Sequence, residues 1–258
     1  MVTKNPESDA LERFKLLSKK MELSYLEFCP SLNNIIATGK SIDENNNTIP
    51  VSGLSSINNI KVLREIILAK RPHKTLEIGL AYGGSALAIL ASLQEIHKDN
   101  NFLHTAIDPF QKKSWKNSAL TVLKAENLSQ QFRFIEDFSY LSLPQLVKSK
   151  EKFYLIYVDG SHLFEDVFID FYYSTLLLEK DGIILFDDCA DSHVRKLIKF
   201  IKTNYSDLLG SFSLEKYTQK SFLKKIVNRL GYRQMEAFKR IGTPPRGAEA
   251  WNSKLKSF

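Results

Sequence analysis

Cysteine is scarce: the chain has two among 258 residues, Cys29 and Cys189. They lie far apart and in no metal-type spacing, so a reducing compartment, the cytoplasm, is expected. Long apolar runs are missing as well. The longest are about eight residues or fewer, as at Ala86–Ala91, well short of the roughly 20 that cross a membrane. The first residues, MVTKNPESDALERF, are charged and amphipathic and hold no apolar segment of secretory type. There is no internal repeat, no low-complexity tract and no G-x-G-x-x-G dinucleotide fingerprint. What is present is ordinary in bulk. With 43% hydrophobic and 25% charged residues, the chain fits one globular domain with a full core and small appendages.

Net charge is +7, and the excess sits late, in Lys224, Lys225, Arg229, Arg233, Lys239, Arg240 and Arg246. Such a tail reads as a solvated helix face, as a site for a phosphate backbone or an anionic membrane surface, or as an attractor for an anionic small substrate.

Apolar positions at helical spacing (Leu11, Phe14, Leu17, Met21) predict a lead-in helix within 8–28. The stretch KSIDENNNTIPVSG, 40–53, reads as a loop or linker. Residues 1–52 are therefore expected to form a helical appendage with its linker, 53–228 the main domain and 229–258 a basic tail. An amphipathic helix is predicted over 56–69. From Lys74 onward, short apolar runs at 74–79, 102–107, 132–136, 153–158 and 182–187 alternate with helical segments near 84–97, 115–127, 141–149, 164–178 and 191–204. That alternation predicts an α/β fold: a doubly wound, Rossmann-like, mostly parallel sheet with helices on both faces. Ser211–Lys216 and Ser221–Ile226 predict an antiparallel C-terminal hairpin. Ligands of such sheets bind beyond the carboxyl ends of the strands, where strand order reverses.

The first strand ends LEIGLAYGGSALAIL. Gly79, Gly83 and Gly84 permit a tight turn and close approach of a ligand to the backbone, and the helix starting near Ser85 adds its positive dipole end. Glu77 precedes the first glycine by two places. The second strand ends AIDPF, where the carboxylate of Asp108 can accept both hydroxyls of a ribose, or else serve as a turn residue or cap. The fourth strand ends on Asp159 and the fifth on Asp187-Asp188. Adjacent strand ends are about 5 Å apart, so these carboxylates should converge and repel unless a cation joins them. Mg²⁺, which takes a few carboxylate oxygens and keeps waters, would fit; helix capping or exposure to water is the other reading. His162, on the turn after Asp159, is a candidate general base, or else it orients Asp159 or caps the helix. His193 is a candidate for the pocket wall, and His73, His97 and His104 look incidental. The segment IPVSGLSSIN, 49–58, precedes the core and reads either as part of a lid folding over the pocket or as an ordinary loop.

In order and spacing, LEIGLAYGGSA, AIDPF, VDGSH and GIILFDDC resemble a class I S-adenosylmethionine-dependent methyltransferase. The set is similar, more narrowly, to methyltransferase family 24 and the metal-dependent, macrocin-type sugar O-methyltransferases, over roughly residues 53–205. The resemblance implies that Glu77, Gly79, Gly83, Gly84 and Ser85 line the methionine end of S-adenosyl-L-methionine and that Asp108 binds its ribose. It implies that Asp137 and Phe138, in FRFIEDFS, flank the adenine, and that Asp159, Asp187 and Asp188 hold Mg²⁺ beside a substrate hydroxyl. Related enzymes often read D-G-D where this chain has Asp159-Gly-Ser161; serine is a poor base, so His162 or the metal must take that role. The implied partner is a small hydroxylated acceptor, a sugar or glycan precursor, with a homo-oligomer possible through the N-terminal helix. Two alternatives stay open. One is an RNA methyltransferase using the basic C-terminal region, although no N-P-P-Y-type clamp is present. The other is a non-catalytic cofactor-binding module.

Overall fold

The computed structural model describes residues 24–217, 234–243 and 255–258. The predicted lead-in helix falls largely outside them, as do the strand expected at 221–226 and the basic residues Lys224, Lys225, Arg229, Arg233 and Arg246. In chain order come α1 (Pro30–Thr38), β1 (Lys40–Ile42), β2 (Thr48–Pro50), α2 (Ile57–Lys70), β3 (Lys74–Ile78), α3 (Gly84–Ile96), β4 (Leu103–Ile107) and α4 (Ser118–Ala125). They are followed by β5 (Phe132–Ile135), α5 (Ser139–Lys148), β6 (Phe153–Val158), α6 (Phe164–Leu177), β7 (Leu178–Phe186), α7 (Ser192–Asn204), β8 (Leu209–Ser211) and β9 (Glu236–Arg240).

The main sheet runs β5-β4-β3-β6-β7-β9-β8, parallel from β5 to β7 and antiparallel at β9 and β8. Strands covered on both faces need apolar residues at every position, and β6 (FYLIYV) is written that way. Its alternate residues serve two cores. Leu155 and Tyr157 pack with α2 and α3, while Ile156 and Val158 pack with α6 and α7. The chain winds outward from β3 to β5, then returns to place β6 on the other flank of β3. That reversal opens the crevice between the carboxyl ends of β3 and β6. Leu26, Cys29, Leu32 and Ile35 belong to the same core as Ile60 and Leu87. Among the described residues, no helix is long and apolar enough to cross a membrane.

Two local readings differ from expectation. The stretch 40–53 contains an antiparallel pair, β1 with β2. The Asp43 carboxylate accepts from the backbone of Asn45 (2.9 Å) and Asn47 (2.8 Å), and Asn46 takes the left-handed conformation at φ 63°. A turn-rich composition thus encodes a hairpin whose three-residue arms are too short to show periodicity. At the far edge, the C-terminal antiparallel pairing is present but uses β8 and β9. Glu236–Arg240 reads as part of a basic tail, yet Ala237 and Phe238 are buried and Lys239 pairs with Asp181 at 2.7 Å.

Gly79, at φ 92°, closes β3 where Asp159 leaves β6; a Cβ there would collide with the Asp159 carbonyl. Replacing Gly79 with alanine is expected to cost more than about 2 kcal/mol, measured as a lowered urea midpoint.

Between α5 and α6, Asp170 is shut off from solvent, and its Oδ1 has no hydrogen-bond partner. Burial pushes its carboxyl up to about 7, only partly offset by a bond from Ser139. The folded chain therefore holds a proton that the unfolded chain releases near 3.8. This contribution to stability is complete below about pH 4 and is lost as pH rises through about 7. Asp170→Asn should flatten that slope and raise stability at pH 8 by about 1–3 kcal/mol, as read by urea denaturation at pH 5 and pH 8.

Candidate active site

Asp108, at the end of β4, binds the chain's own backbone. Its Oδ2 accepts from Leu80 N (3.0 Å) and Ala81 N (2.8 Å), and its Oδ1 accepts from Phe110 N (2.7 Å). The carboxylate thereby fixes the turn that carries Gly79, Gly83 and Gly84 into α3. Its remaining lone pair is the one free for a ligand hydroxyl. Gly83 lies at φ 79° against Ala119, and Leu54 occupies the space a side chain on Gly84 would need. Glu77 and Ser85 sit beneath the turn, with Ser85 Oγ donating to Glu77 Oε1. Around it, Gln111 Oε1 and Trp115 Nε1 are buried without a partner, and Trp115 stands edge-on to Tyr82 at 5.1 Å.

Asp159, Asp187 and Asp188 do share one sheet edge. Asp187 is 5% exposed and draws its donors from four directions. Asn59 Nδ2 lies 2.8 and 2.6 Å from its two oxygens, Tyr157 OH is 2.5 Å away, Gln234 Nε2 3.1 Å and Asp188 N 2.8 Å. Asn59 stands in the first turn of α2, whose Ser56 cap accepts from Asn59 N, so the positive end of that helix also faces the carboxylate. Burial raises the Asp187 carboxyl above its ordinary range, with the Asp188 charge adding to it. Burial raises Asp159 much further, reinforced by the charges of Asp187 and Glu77. Ser55 Oγ reaches Asp159 Oδ2 at 3.3 Å, so the 49–58 segment does lie over this edge.

Asp188 faces outward. His162 Nε2 lies 2.9 Å from its Oδ2, and both side chains are open to solvent. As an imidazole donor to Asp188, His162 keeps Nδ1 as an acceptor. His193 instead accepts from Phe164 N at 3.1 Å and anchors the start of α6. Asp137 caps its own neighbour, Phe138 N, at 2.8 Å. Phe138 is exposed, edge-on to Phe110 at 5.8 Å and stacked on Tyr140 at 5.1 Å.

These donors bear on the expected metal. Asp187 has its oxygens taken up by amide and phenol protons, the opposite of what a cation needs. Among the described residues, no group of three or more His, Cys, Asp or Glu side chains has the geometry to hold a metal ion. The residues as arranged do not fit Mg²⁺.

Residues 76–189 match the family model described as "Methyltransferase domain", methyltransferase family 24. The match runs from within β3 to just past the end of β7. No curated protein sequence matches it. Among solved structures it is similar to an O-methyltransferase from Bacillus cereus in complex with SAH (TM-score 0.58, 15% identity, covering 81% of this chain and 90% of that one). It is also similar to the O-methyltransferase TomG from Streptomyces achromogenes, involved in tomaymycin synthesis, in complex with SAM (TM-score 0.54, 16% identity, 75% and 84%). Cofactor-bound Rv0187 from MTB aligns over 95% of this chain and 100% of that one (TM-score 0.55, 12% identity). At these identities the likeness concerns the fold, a seven-stranded methyltransferase sheet with its antiparallel edge.

Sequence reasoning missed Asn59, Tyr157, Gln234 and His104. Asn59 left one signal, a polar side chain in the first turn of a helix beside the buried Ile60. Gln234 left none, because it comes from a segment remote in sequence. Tyr157→Phe tests the buried arrangement. Loss of its bond to Asp187 is expected to cost about 1–3 kcal/mol in urea denaturation.

Proposed function

We propose that the protein is an S-adenosylmethionine-dependent O-methyltransferase that methylates a small hydroxylated acceptor, a sugar or glycan precursor. The observation that carries this reading is the juxtaposition, at the switch point, of the Asp108-fixed glycine turn with the His162–Asp188 pair at 2.9 Å. The turn suits the cofactor. Its glycines leave the backbone approachable, the α3 N-terminus favours a carboxylate, and unpartnered Gln111 Oε1 and Trp115 Nε1 line its flank. Gly79, Gly83, Gly84 and Ser85 take the methionine end in this reading, and Glu77, sealed beneath them, supports the turn instead of lining the pocket. Asp108 takes a ribose hydroxyl, and Asp137 with Phe138 borders the adenine.

When bound, the cofactor supplies a methyl group on a sulfonium, open to in-line displacement by an oxygen nucleophile. The chain's own residues prepare that nucleophile. His162 Nδ1 takes the hydroxyl proton, and Asp188 holds the ring by Nε2 and stabilises the imidazolium that forms. Asp159 and the lid residue Ser55 position the acceptor over the crevice. Leu54, lying on Gly84, keeps water from the methyl group. No step is assigned to Mg²⁺, because the Asp187 oxygens already accept from Asn59, Tyr157 and Gln234.

Calorimetric titration with S-adenosylhomocysteine, with Mg²⁺ and again with EDTA, tests the reading. Binding that is indifferent to EDTA is expected, with Asp108→Ala weakening it about tenfold or more. No binding to the unaltered chain would sink the proposal. A separate Mg²⁺ isotherm abolished by Asp187→Ala would restore a metal-assisted route. With an acceptor found by screening labelled methyl transfer to hydroxylated small molecules, His162→Ala should lower kcat about 10²–10⁴-fold and leave S-adenosylhomocysteine affinity unchanged.

A further inference from the structure

Four polar groups run in line beneath the glycine turn. Thr75 Oγ1 lies 2.8 Å from His104 Nδ1, His104 Nε2 lies 3.0 Å from Glu77 Oε2, and Ser85 Oγ donates to Glu77 Oε1. Thr75, Glu77 and His104 are sealed from solvent, and Ser85 is nearly so. The β3–β4 register sets His104 opposite Thr75, with Glu77 two residues further along the same face. Phe132 covers the imidazole at 5.8 Å. Strand pairing alone would accept an aliphatic residue at 104. A buried carboxylate, by contrast, must be supplied with donors, and the imidazole is one of the two that Glu77 has here.

The consequence falls on Ser85. With its proton committed to Glu77, its oxygen offers only lone pairs at the first turn of α3. A helix start by itself presents N–H donors, which suit a carboxylate and not an ammonium. Here the same turn offers amide donors and one oriented oxygen acceptor, the pair of partners that a zwitterionic amino-acid group requires.

We propose that His104 is a positioning residue for the amino-acid end of the cofactor: by holding Glu77, it fixes Ser85 Oγ as the acceptor for the α-ammonium. This rests on the cofactor reading given above and extends it to a residue outside the pocket. Without the imidazole, Glu77 loses a donor and reorients. Ser85 is then free to turn its hydrogen toward the ammonium. Recognition of the adenosine part, which depends on Asp108, is untouched.

The test compares two ligands by calorimetry on the full chain: S-adenosylhomocysteine, and 5′-methylthioadenosine, which keeps the adenosine and thioether but lacks the amino-acid group. His104→Ala is expected to weaken S-adenosylhomocysteine about 10- to 100-fold and to change 5′-methylthioadenosine affinity by no more than about twofold. His104→Gln, whose amide still donates to Glu77, should recover most of the loss. His104→Leu, which fills the same space without a donor, should repeat the alanine result and carries the test if the alanine protein does not fold. Equal weakening of both ligands, or no weakening of either, overturns the proposal. An unaltered chain that binds 5′-methylthioadenosine and S-adenosylhomocysteine equally well overturns it too and leaves the cofactor reading standing. Binding of neither ligand removes the cofactor reading, and this proposal with it.

Discussion

Buried negative charge at the carboxyl edge of the sheet is the constraint around which the site is arranged. A carboxylate taken out of water costs several kcal/mol unless donors replace the solvent. Asp187 meets that requirement with partners from α2, β6, its own turn and the strand of the chain leading into β9. Each partner fixes something larger. Asn59 fixes where α2 begins relative to the sheet, Tyr157 ties the end of β6 to the end of β7, and Gln234 brings in the returning chain. The polar network acts as a registration device for elements that apolar packing alone would let slide.

Asp108 plays the matching part on the other flank of the crevice. Its three backbone bonds hold a turn that includes Ala81 at φ 45°, a conformation that costs energy for a residue with a Cβ. A turn held this way is ready before a ligand arrives, so binding does not have to order it. Residues 51–56 then close the crevice from above through Leu54 and Ser55. Carboxylate-fixed floor, glycine-lined wall and serine-bearing cover all converge where β3 and β6 part.

Much of this was legible in the sequence, and the reason is periodicity. Five apolar runs gave the parallel strands to within a residue or two at most ends, except that β7 begins at Leu178, where the apolar run only starts at Gly182. The Glu-Lys-Asp that follows buried Leu178 in β7 is polar because that part of the strand is partly or fully exposed. The helix expected at 115–127 is only Ser118–Ala125, because Lys116 and Asn117 take left-handed conformations that keep it from starting earlier. Strand-end acids were likewise visible, since topology alone brings Asp159 and Asp187 to one edge. Their partners were not. A hydrogen bond between Asn59 and Asp187 spans 128 positions and leaves no local pattern. His104 was set aside for the same reason. Its role depends on a diagonal neighbour on the next strand, which becomes visible only once the β3–β4 register is known.

The contrast between Asp187 and Asp188 argues for where chemistry belongs. Consecutive residues leaving a strand point to opposite sides, and here the two carboxylates share the Gln234 amide but otherwise meet different surroundings. Asp187 turns inward and is saturated by donors, so it has little capacity left for a reacting group. Asp188, in a left-handed conformation at φ 50°, turns outward to the half-exposed His162. A proton acceptor must meet its substrate and afterwards release the proton to water, and only the outward side allows both. The inward aspartate is suited to holding elements in place, and the outward one to steadying an imidazole. One dipeptide thus separates the work of structure from the proposed work of catalysis, and strained backbone at its second residue is what aims the latter.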